Sequence, residues 1–485
     1  MSIGAKRQRS EIAARFRLNS PLVLTEKIRL HEPAKALIEI PRRESPPHSP
    51  GAGSGRGRLR HASFRQGNPA DPKLERLAEQ LSSASVPAGF ALRLWNGFEL
   101  NLGGEKPACT LRVHTPAGLR ALLIRPDSLK LGEAYIYGDC DVFGNLQDVF
   151  PIADELIGRK NSFSDQLRAA WCFIRYSARA GTAKHAAKLM GDRHSRGRTR
   201  RAISYHYDLP VGFWRLWLDP QLVYSCAYFE EANATLEEAQ VAKLDLICRK
   251  LRLRPGESFL DMGCGWGALI CHAAKHYGVR GLGVTLSARQ AEYAAEQIQK
   301  LGLAARCKVE VRNFFDVEEL GPFDKIASVG AVEHVLSLER YFDYVYRVLE
   351  PGGWFLNHGI TTCPTQPLRE GDSFLDRYVF PDYHLASIGE TIRAAERAGF
   401  DVRDVENLRE HYARTLEYWH ESLVRARGDV ERVSDAVRFR IFDLYLAGTA
   451  YEFRVGRLHL HQTLLLKADA GKSLALHTRH GWYNA

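Results

Sequence analysis

Nine residues constrain this chain more than any others: Phe259-Leu260-Asp261-Met262-Gly263-Cys264-Gly265-Trp266-Gly267. They read as a short apolar strand that runs into an acid and then into three glycines at alternate positions. Glycine is required where the backbone takes φ > 0 or where a ligand must lie against bare peptide. The residues beyond, Ala268 to Tyr277, are helical in character, so the loop feeds a helix N-terminus. Strand, glycine loop and helix together form the nucleotide pocket of open α/β sheets. The spacing after the acid is Gly-x-Gly-x-Gly, which differs from the Gly-x-Gly-x-x-Gly of dinucleotide enzymes.

The surrounding pattern fits such a sheet. Strands are expected at 279–284, 308–311, 324–329, 354–358 and 457–467. Helices are expected at 243–251, 290–301, 338–349 and 433–451, and the alternation predicts a mostly parallel sheet covered on both faces. The strand at 279–284 is followed by Thr285, with no Asp or Glu to hold ribose hydroxyls, which argues against an oxidoreductase. Upstream, Phe90–Trp95 and Thr110–His114 alternate as strands, and 119–126 and 129–137 complete a small α+β unit. The expected organisation is a basic disordered tail over 1–75, an accessory domain over 76–160, a basic helical connector over 161–202 and a catalytic domain over 203–485.

Charge is uneven. Residues 1–75 hold 15 Lys and Arg against 7 Asp and Glu, most of the net charge of +10. A second cluster comprises Lys184, Lys188, Arg193, Arg196, Arg198, Arg200 and Arg201, with Asp192 the one acid among them. Such clusters beside a near-neutral body point to a polyanion, either an anionic lipid surface or nucleic acid. Nine cysteines without Cys-x-x-Cys pairs or zinc spacing favour a reducing compartment and no metal site. No apolar run reaches the length of a spanning helix, so the protein is expected to be soluble or to lie on a membrane.

An acid followed by alternating glycines resembles motif I of S-adenosylmethionine-dependent methyltransferases. Four further segments narrow the resemblance: Ile203 to Leu209, Tyr224 to Phe229, Gly283 to Gln290, and Val329 to Val335. In this order they resemble the cyclopropane-fatty-acyl-phospholipid synthase family, which includes the mycolic acid cyclopropane synthases, over roughly 88–467. The resemblance implies a Rossmann-like class I methyltransferase domain behind a smaller α+β N-terminal domain. It also implies S-adenosylmethionine as cofactor, with Tyr224, Ser225, Asp261, Gly263, Gly265, Gly267, Thr285, Gln290 and Asn313 around it. Family members hold bicarbonate as a base through a Cys, a Glu, a His, a main-chain group and a Tyr; the matching positions are Cys226, Glu333, His358, Ile360 and Tyr412. Two departures stand out: Thr449 occupies a place where some members carry Cys, and Leu336 follows the Glu-His-Val segment where Gly is usual.

Methyl transfer to an alkene generates a carbocation, so the site must exclude water, tolerate positive charge and remove a proton. Aromatic faces suit the cation. Tyr205, Tyr207, Phe213, Trp214, Trp217, Tyr224, Tyr228 and Phe229 crowd one 25-residue stretch, although a packed helix would bury some of them. The expected reaction converts a cis double bond of an unsaturated phospholipid acyl chain into a cyclopropane. The alternatives are a methyl-branched or methylene product, or a small-molecule acceptor. Expected partners are unsaturated phospholipids at an anionic membrane surface and a second copy as a homodimer. Nucleic acid is not among them, because no Asn-Pro-Pro-Tyr or Pro-Cys motif accompanies the basic clusters. The expected location is cytoplasmic, peripheral to the inner face of the membrane.

Overall fold

The computed structural model describes residues 62–65, 89–102, 107–158, 185–192, 195–366, 373–469 and 478–483. All of them belong to one compact unit. The rest of the 1–75 tail and the connector residues 159–184 lie outside the described residues.

The catalytic sheet grows from the strand of the glycine motif. Twelve strands occur among the described residues, and the first five form a separate sheet described below. Strand β6 (Ser258–Met262) pairs in parallel with β7 (Arg280–Thr285) on one side and β9 (Phe323–Val329) on the other. Strand β8 (Cys307–Val311) extends the β7 side, and β10 (Leu349–Thr362) extends the β9 side. Strands β11 (Asp401–Asn407) and β12 (Leu458–Leu466) complete the order β11-β12-β10-β9-β6-β7-β8, with β12 the antiparallel member. The expected class I methyltransferase fold is therefore present. Strand order reverses beside β6, so the loops after β6 and β9 open the crevice in which open α/β sheets bind ligands.

Two boundaries differ from expectation for identifiable reasons. The helix expected from residue 243 runs Leu236–Leu251, because Thr235 and Glu238 form a reciprocal capping box at its start. Strand β10 continues past residue 358, because its antiparallel ladder with β12 runs on to Thr362↔Leu458 after the ladder with β9 ends at His358↔Val329. His358 and Ile360 therefore lie within a strand rather than beyond its end.

The N-terminal sheet has the order β1-β3-β2-β4-β5, with β1 (Ala62–Arg65), β2 (Phe90–Arg93), β3 (Glu99–Leu102), β4 (Cys109–Val113) and β5 (Cys140–Gly144). Strand β1 corrects the reading of 1–75 as uniformly disordered: its four residues pair antiparallel with β3 and so find main-chain partners. Leu92, Leu100, Leu111, Val113, Leu119 and Ile152 fill this unit's core. Polar contacts fasten the unit to the catalytic part. Tyr135 donates to Asp443 at 2.5 Å, Arg440 pairs with Asp141 at 2.6 Å, and Arg457 pairs with Asp154 at 2.8 Å. Among the described residues no helix is long and apolar enough to cross a membrane.

Candidate active site

The glycines of the motif do three different things. All three have positive φ, at +81°, +53° and +90° for Gly263, Gly265 and Gly267. A Cβ on Gly263 would stand 2.9 Å from the Ala331 Cβ, so this glycine lets the loops after β6 and β9 meet. A Cβ on Gly265 would meet nothing, since it faces open space. On Gly267 a Cβ would strike Ala294 at 2.8 Å, so that glycine serves the packing of helix Ala268–His276 against helix Ala288–Lys300.

Above this loop lies a cavity open to solvent. Of the residues expected at the cofactor, Tyr224, Ser225, Asp261, Gly263, Gly265, Thr285 and Gln290 line it. Gly267 and Asn313 are absent from its wall. Asn313 instead accepts from the Phe315 amide at 2.9 Å, shaping the turn that brings Arg312 and Phe314 to the cavity. Thr285 donates to Gln290 Oε1 at 2.7 Å, which leaves the amide nitrogen of Gln290 for other partners.

Lys243 was not anticipated. It is fully buried on the cavity wall and donates to Ser225 Oγ at 2.8 Å. Burial pushes its ammonium down to about 8, against the pull of Cys226, Asp219 and Asp261. Asp261 is 2% exposed. Burial lifts its carboxyl to about 7, and Lys243 opposes the rise. In sequence Lys243 is one of three cations in a mixed helix with Arg249 and Lys250, and only the fold shows that it faces a cavity.

Of the five residues expected at the anion, Glu333 meets the Ile360 amide, and His358 lies two residues before Ile360 on β10. Glu333 sits in the turn after β9 and is 7% exposed. Its Oε1 accepts from the Ile360 amide at 2.7 Å, while its buried Oε2 has no partner. Burial raises its carboxyl to about 7, opposed by the Ile360 amide. His358 is 1% exposed; its Nδ1 lies 3.1 Å from Gln462 Nε2, and its buried Nε2 has no partner. Burial first, and then Lys243 and Lys250, hold this imidazole neutral well below the ordinary histidine range.

Leu408 brings in the other two residues. Its amide donates to Leu460, which pairs with Ile360 across β12 and β10. Its carbonyl accepts from the Tyr412 amide at 3.0 Å and lies 3.9 Å from Cys226 Sγ. The Cys226 thiol is fully buried and pushed well up, so it remains a thiol and not a nucleophilic thiolate. Burial, with Tyr445, Cys226 and Glu333 in electrostatic range, keeps the Tyr412 hydroxyl protonated. Glu333 Oε2 and His358 Nε2 are thus two buried polar atoms that no protein group satisfies.

The aromatic stretch divides by role. Phe213, Trp214 and Trp217 are fully buried core, and Tyr205 bonds the carbonyls of His185 and Tyr378. Tyr207 and Tyr224 reach the cofactor cavity. Tyr224 donates to the Tyr445 hydroxyl at 3.0 Å. Tyr445 in turn lines a larger cavity of about 2130 Å³, open to solvent, between the N-terminal unit and helix Ala436–Arg454. Leu111, Leu122, Leu131, Ile152 and Leu156 form one side of it, with Phe374, Leu444 and Thr449 on the other.

A family model described as mycolic acid cyclopropane synthetase matches residues 194–463, more than half of the chain. The chain belongs to that family. It is an S-adenosylmethionine-dependent methyltransferase. A model for a domain of unknown function matches residues 77–166, the N-terminal sheet unit. A probable fatty acid methyltransferase of Pseudomonas putida is 35% identical over 82% of this chain and 96% of its own length. A probable fatty acid methyltransferase of Mycobacterium tuberculosis is 34% identical over 78% of this chain and 92% of its own. The solved cyclopropane synthase MmaA2 from Mycobacterium tuberculosis superposes with a TM-score of 0.53 at 34% identity, covering 55% of this chain and 98% of that one. Mycolic acid cyclopropane synthase CmaA1, solved in complex with SAH and CTAB, gives the same score and coverage.

Proposed function

We propose that this protein transfers a one-carbon unit from S-adenosylmethionine to a cis double bond of an unsaturated phospholipid acyl chain and closes a cyclopropane. The observation that carries the reading is the pair of buried atoms without partners, Glu333 Oε2 and His358 Nε2, in a family whose named relatives are cyclopropane synthases and fatty acid methyltransferases.

The residues present fit the cofactor: bare backbone at Gly263 and Gly265, a buried acid at Asp261 and a held amide at Gln290 line the cavity. When bound, S-adenosylmethionine supplies an electrophilic sulfonium methyl, and bicarbonate supplies an oxygen base for the proton lost on ring closure. Tyr207 and Tyr224 line the cavity and give it the aromatic wall that a developing positive charge on the substrate needs. Glu333, His358, the Ile360 amide, Cys226 and Tyr412 hold the anion, and the raised Glu333 carboxyl can donate to it at pH values below about 7. The acyl chain occupies the large cavity, which reaches Tyr224 through Tyr445.

Docking is assigned to the inner face of the cytoplasmic membrane. Met190 is 80% exposed, and Lys188, Arg200 and Arg201 are exposed near it in sequence. Each basic residue near an anionic surface contributes about 1 kcal/mol. Arg198 is withdrawn from that set, because its guanidinium pairs with Asp382 at 2.6 and 2.9 Å. The relatives named as fatty acid methyltransferases keep a branched or methylene product as the second reading.

The test is release of S-adenosylhomocysteine in the presence of unsaturated phospholipid vesicles. Stripping bicarbonate should slow release and adding it back should restore it. Release that needs no lipid, or that ignores bicarbonate, would overturn the proposal.

A further inference from the structure

A buried polar chain leads from the last turn of helix Leu236–Leu251 to His358. Lys250 is fully buried, with its ammonium 2.7 Å from Gln462 Oε1, bonded to Glu406 Oε2 and 3.9 Å from Asp404 Oδ2. Gln462 is itself buried and sits opposite His358 in the β10–β12 register. Its Nε2 lies 3.1 Å from His358 Nδ1.

The chemistry of these groups leaves one consistent set of protons. An ammonium has donors and no acceptor; burial pulls the Lys250 ammonium below its ordinary range, and the carboxylates of Glu406 and Asp404 oppose that fall and keep it charged. The oxygen of the Gln462 amide must therefore face Lys250, and its NH₂ must face His358. An NH₂ group donates, so His358 Nδ1 must accept. A neutral imidazole carries a single N–H, and it then resides on Nε2. That is the buried atom left without a partner.

We propose that Lys250 and Gln462 are positioning residues that lock His358 in the Nε2–H tautomer, so that the ring presents a donor to the site's oxyanion. The role toward the anion rests on the function proposed above; the tautomer itself does not. Neither residue touches the reacting atoms. Lys250 fixes which way the amide points, and the amide fixes where the imidazole proton sits. Without this chain the other tautomer would present a lone pair to the anion, and repulsion would replace a hydrogen bond.

The experiment is ¹⁵N NMR of the full chain labelled at histidine, with the His358 signals identified by their loss in His358→Gln. The parent should show a neutral ring protonated at Nε2 and bare at Nδ1. Gln462→Glu places a carboxylate against Nδ1 and should move protonation onto that nitrogen. Lys250→Met frees the amide to turn and should give a mixture of tautomers. Turnover should fall about 10- to 100-fold in Lys250→Met, by analogy with loss of the partner that orients a metal-bound histidine. A parent ring protonated at Nδ1, or variants that all keep the Nε2–H form, would overturn the proposal. The parent spectrum decides on its own if a variant does not fold. An Nε2–H ring in an enzyme indifferent to bicarbonate would leave the lock standing and sink the anion assignment alone.

Discussion

Replacing Glu333 with glutamine should make the protein more stable and nearly inactive. The substitution keeps an oxygen to accept from the Ile360 amide, which is 2.7 Å from Oε1 in the parent. It removes the ability to ionise. Burial raises the parent carboxyl from its ordinary 4.5 to about 7, which corresponds to roughly 3 kcal/mol between folded and unfolded states. Because the folded value is the higher one, this contribution to stability is fully present below pH 4.5 and is lost as pH rises through 7. Above that pH the parent carries the whole penalty of a buried carboxylate, and a neutral glutamine side chain carries none. Thermal midpoints of the two proteins, measured without bicarbonate, should nearly coincide at acidic pH and separate in favour of Glu333→Gln as pH rises toward about 8. Turnover should fall about 10²- to 10⁴-fold, the range for loss of a positioned proton-transfer group, here the bicarbonate that Glu333 helps to hold, while the affinity for S-adenosylhomocysteine stays near that of the parent. A stability gap independent of pH would refute the burial of this carboxyl, and near-normal turnover would refute its role.

Gly263→Ala and Gly267→Ala should separate binding from folding. Both force a side chain into positive φ, at roughly 1–2 kcal/mol each. The first also drives a Cβ to 2.9 Å from Ala331 at the cavity wall and should weaken cofactor affinity more than tenfold; the second strikes Ala294 outside the cavity and should lower the thermal midpoint with affinity unchanged. Titration calorimetry and thermal unfolding read the two effects. Deleting residues 1–58 should leave turnover intact, whereas extending the deletion through Arg65 removes β1 and leaves the β3 edge unpaired, which should show as aggregation in size-exclusion chromatography.

The parallel core was legible because its signals are local. Continuous apolar runs mark strands buried on both faces, and Asp261 with its glycines marks the turn between strand and helix. The edge was harder to read. Strand β11, Asp401–Asn407, reads Asp-Val-Arg-Asp-Val-Glu-Asn with no period of two, and its one buried residue is the acid Asp404. Helix Arg409–Arg425 carries a clear stripe of Tyr412, Leu416, Trp419 and Leu423, yet only Tyr412 was singled out from sequence. Asn313 was placed at the cofactor by resemblance, but a local turn claims its side chain. The positions that depend on tertiary register were beyond reach. Lys250 and Gln462 are 212 residues apart, and no pattern in either segment announces the other. The same holds for Lys243, whose neighbours in sequence read as the apolar face of an ordinary helix.

The central claim is the chemistry done to the lipid. Mass spectrometry of phospholipid extracted after incubation with unsaturated vesicles and methyl-labelled S-adenosylmethionine tests it most directly. The account predicts a labelled CH₂ increment on the acyl chain that survives mild hydrogenation unchanged, as a ring does. An increment on a chain that still takes up hydrogen would mean a methylated or methylene alkene, and label absent from lipid while the cofactor binds would contradict the account.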